Sequence, residues 1–201
     1  MEAPTCNART GRVHLSATRP VSLLFTMHIP THMLSGWVVG NLLRLTPRER
    51  FFCIVAATVP DVDGLGILVS EDLWHDWHHR IGHNVFFFAI VAGVLAAFST
   101  HRLRAGLAYF AIGWLHFAMD YLGSGPGWLL HPLWPVSDVG ITWAGAWPFF
   151  SWQNITAGYG LFALTLLIAW RWRRTPLEWP MPKLDAQLVV LLPAVTSSPK
   201  P

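Results

Sequence analysis

The sequence predicts an all-α, multi-pass helical membrane protein, with about four to five membrane-embedded helices around a polar site. Three observations carry that prediction. Hydrophobic residues make up 53% of the 201-residue chain and charged residues only 12%, where soluble domains carry roughly 25% charge; mean hydropathy is +0.39. Tryptophan occurs 12 times, and tryptophan collects at membrane–water interfaces. Between residues 28 and 131, histidines and acids interrupt segments that are otherwise apolar. Such residues are costly in lipid and mark functional sites by default.

Five apolar segments follow one another, at 33–43, 51–60, 84–99, 105–122 and 155–170. The last three approach the span of about 17–25 residues that a bilayer helix needs. The first two are short, so they are expected to be half-spans or helices that continue into less regular chain around the site. Pro60 and the Asp61-Val62-Asp63-Gly64 turn are expected to break or end the second. The net charge of +3 is small and its arginines cluster at segment ends, so no nucleic-acid partner is expected. Cys6 and Cys53 form neither a disulfide framework nor a cysteine metal site.

Arginine sets an orientation. If the segments alternate, Arg44, Arg48, Arg50, Arg102, Arg104, Arg171, Arg173 and Arg174 fall on one side, and Arg80 does not. The positive-inside rule makes that side cytoplasmic. Helical rise then gives depth. At about 1.5 Å per residue, Asp61 lies roughly 16 Å from Arg50, His32 roughly 18 Å from Arg44, and His116 roughly 18 Å from Arg104. Three segments thus bring polar side chains to one layer, which faces the non-cytoplasmic side.

Residues 1–26 hold Arg9, Arg12 and Arg19 on the wrong side for this topology. Either 20–43 forms a re-entrant hairpin or translation starts at Met27; the second is preferred. Residues 1–26 are therefore read as a disordered tail or a mis-assigned start, 27–174 as the membrane-embedded domain, and 175–201 as a proline-rich, poorly packed cytoplasmic tail.

The densest signal is His116-Phe117-Ala118-Met119-Asp120, whose histidine and carboxylate share a helix face at i and i+4. Asp61 and Asp63 follow a proline. In 75–83, a helix would align His75, His79 and His83, a spacing that suits a metal. Gly82 weakens that helix, which leaves His78 as an alternative to His79. Each cluster has a bland reading: a helix-ending turn at Asp61 and Asp63, a solvated loop at 75–83, a buried hydrogen-bonded pair at His116 and Asp120. Their shared depth argues against three separate bland readings. Mixed Asp and His donors suit a divalent ion, zinc first, with manganese or iron as alternatives. Haem would leave the carboxylates unexplained.

These motifs resemble the membrane-bound metal-dependent hydrolase family, the YdjM-like inner-membrane proteins. Thr31-His32-Met33-Leu34-Ser35-Gly36-Trp37 is similar to its opening, Pro60-Asp61-Val62-Asp63 to its PDID element, and His79-Arg80-Ile81-Gly82-His83-Asn84 to its HRG-x-THS element. Trp114-Leu115-His116-Phe117-Ala118-Met119-Asp120 resembles its HxxxD element, and Leu133-Trp134-Pro135 the LWP that follows. The order matches over about residues 31–140, but the third element is one residue shorter and lacks its Thr and Ser. The order Asp, His, HisxxxAsp is also loosely similar to zinc phospholipase C and P1-type nucleases.

The resemblance implies a hydrolase of undefined substrate in the inner membrane. The expected metal ligands are His32, Asp61, His78 or His79, His83, His116 and Asp120. Asp63 would orient a ligand or act as general base, and Arg80 would steady an anionic group. Membrane lipids are expected partners, with a small molecule or lipid as substrate and a phosphoester as the leading guess. A non-enzymatic metal-binding protein and a metal-free interaction partner are the alternatives.

Overall fold

The computed structural model describes residues 28–193. The expectations for residues 1–26 and for Met27 lie outside it. Among the described residues the chain forms seven α-helices and one long 3-10 helix.

Helix α1 (His28–Leu42) starts five residues earlier than its apolar segment, which places His32 inside a helix. Helix α2 (Pro47–Thr58) opens on a capping box, Thr46 with Glu49, and on a proline in its first turn, where no N–H is missed. Pro60 removes a backbone donor, so the α ladder cannot continue. The α-helix ends at Thr58, in line with the expectation from the sequence, and the chain continues by tightening into a 3-10 helix (Val59–Leu68). Ten residues is long for that conformation, which usually lasts three or four. Helix α3 (Glu71–Trp77) is capped by Ser70, and α4 (Val85–Ala97) by Asn84. Helices α5 (Arg102–Gly123) and α6 (Trp152–Trp172) are the longest.

Helix α5 is central. Its Ala105, Ala108, Tyr109 and Ile112 pack with Leu45, Cys53, Ala56 and Ala57, and its Phe117 packs with Phe88 and Leu130. Helices α1 and α2 meet closely at glycine. A Cβ on Gly36 would stand 2.3 Å from the Cys53 carbonyl oxygen, and one on Gly40 would stand 3.1 Å from Cys53 Sγ. Gly36 and Gly40 thus form the small-xxx-small stripe that lets membrane helices approach.

Two helical stretches are long and apolar enough to cross a membrane: 47–68, which joins α2 to the 3-10 helix, and α6. Helix α4 is a shorter apolar helix. Of the two expectations for the second segment, the continuing helix is the one found: the 3-10 extension lengthens it to 22 residues. In α6 only 17% of the apolar window is buried, so most of its surface faces outward, as a lipid-facing helix does.

The arginine-bearing ends gather at one end of the molecule. Arg104 donates to the Leu43 carbonyl. Thr100 and His101 donate backbone N–H groups to Glu49, at 2.9 and 3.1 Å. Arg50 forms a two-pronged pair with Glu178, both contacts at 2.5 Å. That pair, together with Trp179 against Phe51 and Phe52, holds Glu178 and Trp179 on α2, where Glu178 neutralises a buried arginine. Helix α7 (Pro182–Leu191) follows with no buried residue.

Candidate metal centre

Four chain segments deliver the donors. Helix α1 brings His32, the 3-10 helix brings Asp61, the loop 78–84 brings His79 and His83, and α5 brings His116 and Asp120. His32, His79, His83, His116 and Asp120 are all buried. The depths inferred from helical rise therefore correspond to an actual meeting point. Two overlapping sets have their donor atoms within 4.8 Å of one another: His32, Asp61, His116 and Asp120, and His79, His83 and Asp120.

Hydrogen bonding fixes which ring nitrogen faces inward. His116 Nδ1 donates to the Ala57 carbonyl at 2.7 Å. His83 Nδ1 donates to Asp63 Oδ2 at 2.9 Å. A carbonyl and a carboxylate only accept, so each ring carries a proton on Nδ1 and turns Nε2 toward the cluster. The two Nε2 atoms lie 2.9 Å apart. Asp120 Oδ2 lies 3.0 Å from His83 Nε2 and 2.9 Å from His116 Nε2. Atoms this close repel one another unless a proton on an imidazole or a cation stands among them.

The donors fit a metal. Asp61 Oδ1 lies 3.7 Å from His83 Nε2 and 3.5 Å from His116 Nε2. These atoms and Asp120 Oδ2 are separated by 2.9–3.7 Å in five of their six pairings. Metal–ligand bonds of about 2.0–2.1 Å give a tetrahedral edge of about 3.3 Å. Asp61 Oδ2 and His79 Nδ1 are buried with no hydrogen-bond partner, a state that a cation would relieve. Burial, then the neighbouring His78 and His83, hold His79 well below the ordinary imidazole range, which keeps it neutral and able to bind a cation.

Asp63 lies behind this group. It accepts from His78 Nδ1, the Gly82 N–H and His83 Nδ1, each at 2.9 Å. Three hydrogen bonds occupy it as an orienting group. His78 thus pairs with Asp63 and is in neither donor set; His79 is in one. The aligned stripe of His75, His79 and His83 does not form. Helix α3 ends at Trp77, His78 is extended, and His79 takes a left-handed φ of 67°. The cause is Gly82, where a Cβ would lie 2.0 Å from the Pro60 carbonyl oxygen. The loop presses so closely on the 3-10 helix that a straight helix has no room. His75 instead packs against Trp74 and Trp128. Arg80, expected to steady an anion, pairs with Asp138 at 3.4 Å.

Two contributors escaped the sequence reading. Trp128 covers the histidine loop, with ring centroids 5.4 Å from His79 and 5.9 Å from His78. Its flanking signal was Ser124-Gly125-Pro126-Gly127, where both glycines have positive φ. Asn84 locks the loop by donating to the Arg80 and Ile81 carbonyls while capping α4. His131 also supports it, donating its backbone N–H to the His79 carbonyl.

A helical bundle with apolar spans and a buried cluster of imidazoles and carboxylates defines a membrane protein with a metal-site-like centre. Residues 27–192 match the family model described as YdjM inner membrane protein, and the chain belongs to that family. No curated protein matches. No solved structure matches either.

Proposed function

We propose that this chain is a metal-dependent hydrolase of the inner membrane that cleaves an ester, with a phosphoester or lipid headgroup as the substrate class. The observation that carries the reading is the convergence of His83 Nε2, His116 Nε2 and Asp120 Oδ2 at 2.9–3.0 Å, with both Nδ1 atoms committed elsewhere. A divalent ion in this setting polarises an ester oxygen and lowers the pKa of water toward about 7; zinc suits the donors best.

The chain's own residues supply the rest. Asp63 and the Ala57 carbonyl hold His83 and His116 in the binding tautomer. Asp61 Oδ2 takes the proton released by the attacking water. Asp138 is 71% exposed, and an exposed ion pair is worth only about 0–1 kcal/mol, so an anionic substrate would compete for Arg80. A lipid substrate is supported by a cavity of about 590 Å³ lined by Thr31, Leu34, Met119, Leu122, Ile155 and Phe162. Thr31 and Met119 are the chain neighbours of His32 and Asp120. The multi-pass topology, with the centre facing the non-cytoplasmic side, rests on the gathering of arginines at the opposite end.

One observation favours a rival, a metal-binding protein without turnover. Apart from Asp61, whose side chain is 15% exposed, the donors are almost wholly enclosed, and closed shells are structural. Elemental analysis of detergent-purified protein, wild type beside Asp61→Ala and His116→Ala, decides whether metal binds; the expected result is metal in wild type and loss in both variants. Turnover of phosphate mono- or diesters by the loaded wild type then supports hydrolysis. Bound metal with no turnover across the ester panel supports the rival.

A further inference from the structure

We propose that the centre is dinuclear, with Asp120 bridging two divalent cations and His79 serving only the second. The inference rests on the metal-centre reading above. It starts from a count. His32, Asp61, His79, His83, His116 and Asp120 are six donor side chains, whereas a four-coordinate ion takes four, and a catalytic one only three.

Asp120 belongs to both donor sets. Its Oδ1 lies 3.3 Å from His32 Nε2, and its Oδ2 lies 3.0 Å from His83 Nε2 and 2.9 Å from His116 Nε2. Its two oxygens thus look toward different imidazoles, with His83 and His116 sharing Oδ2. His32, Asp61 and His116 complete one set with Asp120, and His79 and His83 complete the other. Two-metal hydrolytic sites place their ions about 3.5–4 Å apart, a separation that one carboxylate spans.

His79 is the independent observation. Its Nδ1 is buried with no hydrogen-bond partner, and its backbone is held in the left-handed region at φ 67°. A non-glycine residue rarely adopts that conformation unless its surroundings impose it. The loop therefore carries strain to present an imidazole that has no protein partner on one nitrogen.

The test is metal stoichiometry on the full chain in detergent, loaded with Zn2+ and stripped of excess. The expected values are two ions per chain in wild type and one in His79→Ala. Loading with Mn2+ gives a second readout that needs no variant: two ions at this spacing give a spin-coupled electron paramagnetic resonance spectrum, and His79→Ala should restore an uncoupled one. One ion in wild type, with an uncoupled manganese spectrum, overturns the dinuclear assignment and leaves a single-ion site standing. Two ions retained in His79→Ala overturn the role of His79. No metal in wild type overturns the underlying metal reading instead.

Discussion

Asp63 and Gly82 show how one residue's chemistry sets another's position. Asp63 touches no proposed reacting atom, yet it fixes the His83 tautomer and holds the Gly82 N–H. Asp63→Asn keeps the shape but can offer an N–H where Nδ1–H must donate. Metal affinity should fall about 10–100-fold, measured by competition with a chromogenic chelator; unchanged affinity would remove Asp63 from its orienting role. Gly82→Ala should have a comparable effect without touching any donor, because its Cβ would meet the Pro60 carbonyl oxygen at 2.0 Å. His116 and Asp120 were legible in the sequence because polar groups stand out in an apolar helix. The conformation of His79 was not, since it depends on a contact between Gly82 and Pro60, 22 positions apart.

Elements rather than residues explain how the donors reach one another. His32 reaches Asp120 because α1 lies tightly on α2, and Gly36 is the tightest point. Gly36→Leu should force the two helices apart, lower the melting temperature in detergent and weaken metal binding together. A variant that melts lower but binds metal normally would uncouple the helix contact from the centre. The Gly36/Gly40 spacing was present in the sequence, but its meaning depended on knowing which helix it faced. At the other end, Glu178 neutralises Arg50, with side chains 10% and 5% exposed. Removing one partner of a buried pair costs about 3–5 kcal/mol, so Glu178→Ala should lower the melting temperature markedly. A shift near zero would mean that Arg50 finds solvent. Helix α7 was missed because its apolar run is too short to span a membrane and its anchor is a charge pair.

Among the described residues the molecule is polarised, with the arginines other than Arg80 at one end and the donor cluster displaced from it. The arginine pattern was readable from sequence, and the contacts of Arg104 with Leu43 and Arg50 with Glu178 show how those ends meet. The orientation proposed for the membrane can be tested with single cysteines. Val139→Cys, at a position 69% exposed, should react with an impermeant maleimide in intact spheroplasts, and His101→Cys only after permeabilisation. The reverse pattern would invert the topology. The lengths of the spans were less legible, because Pro60 changes the type of helix without ending it.

The spread of donors along the chain has a consequence for biosynthesis. His32 and Asp120 stand 88 positions apart, and the cluster is incomplete until α5 is in place. A ribosome releases α1, α2 and the histidine loop before the carboxylate that joins them exists as polypeptide. If the proposed metal centre forms, the protein would enter the membrane without its full complement of cation and acquire it late, after insertion, from whichever compartment the finished cluster faces. Metal supply in that compartment, rather than at the ribosome, would then govern how much of the protein matures.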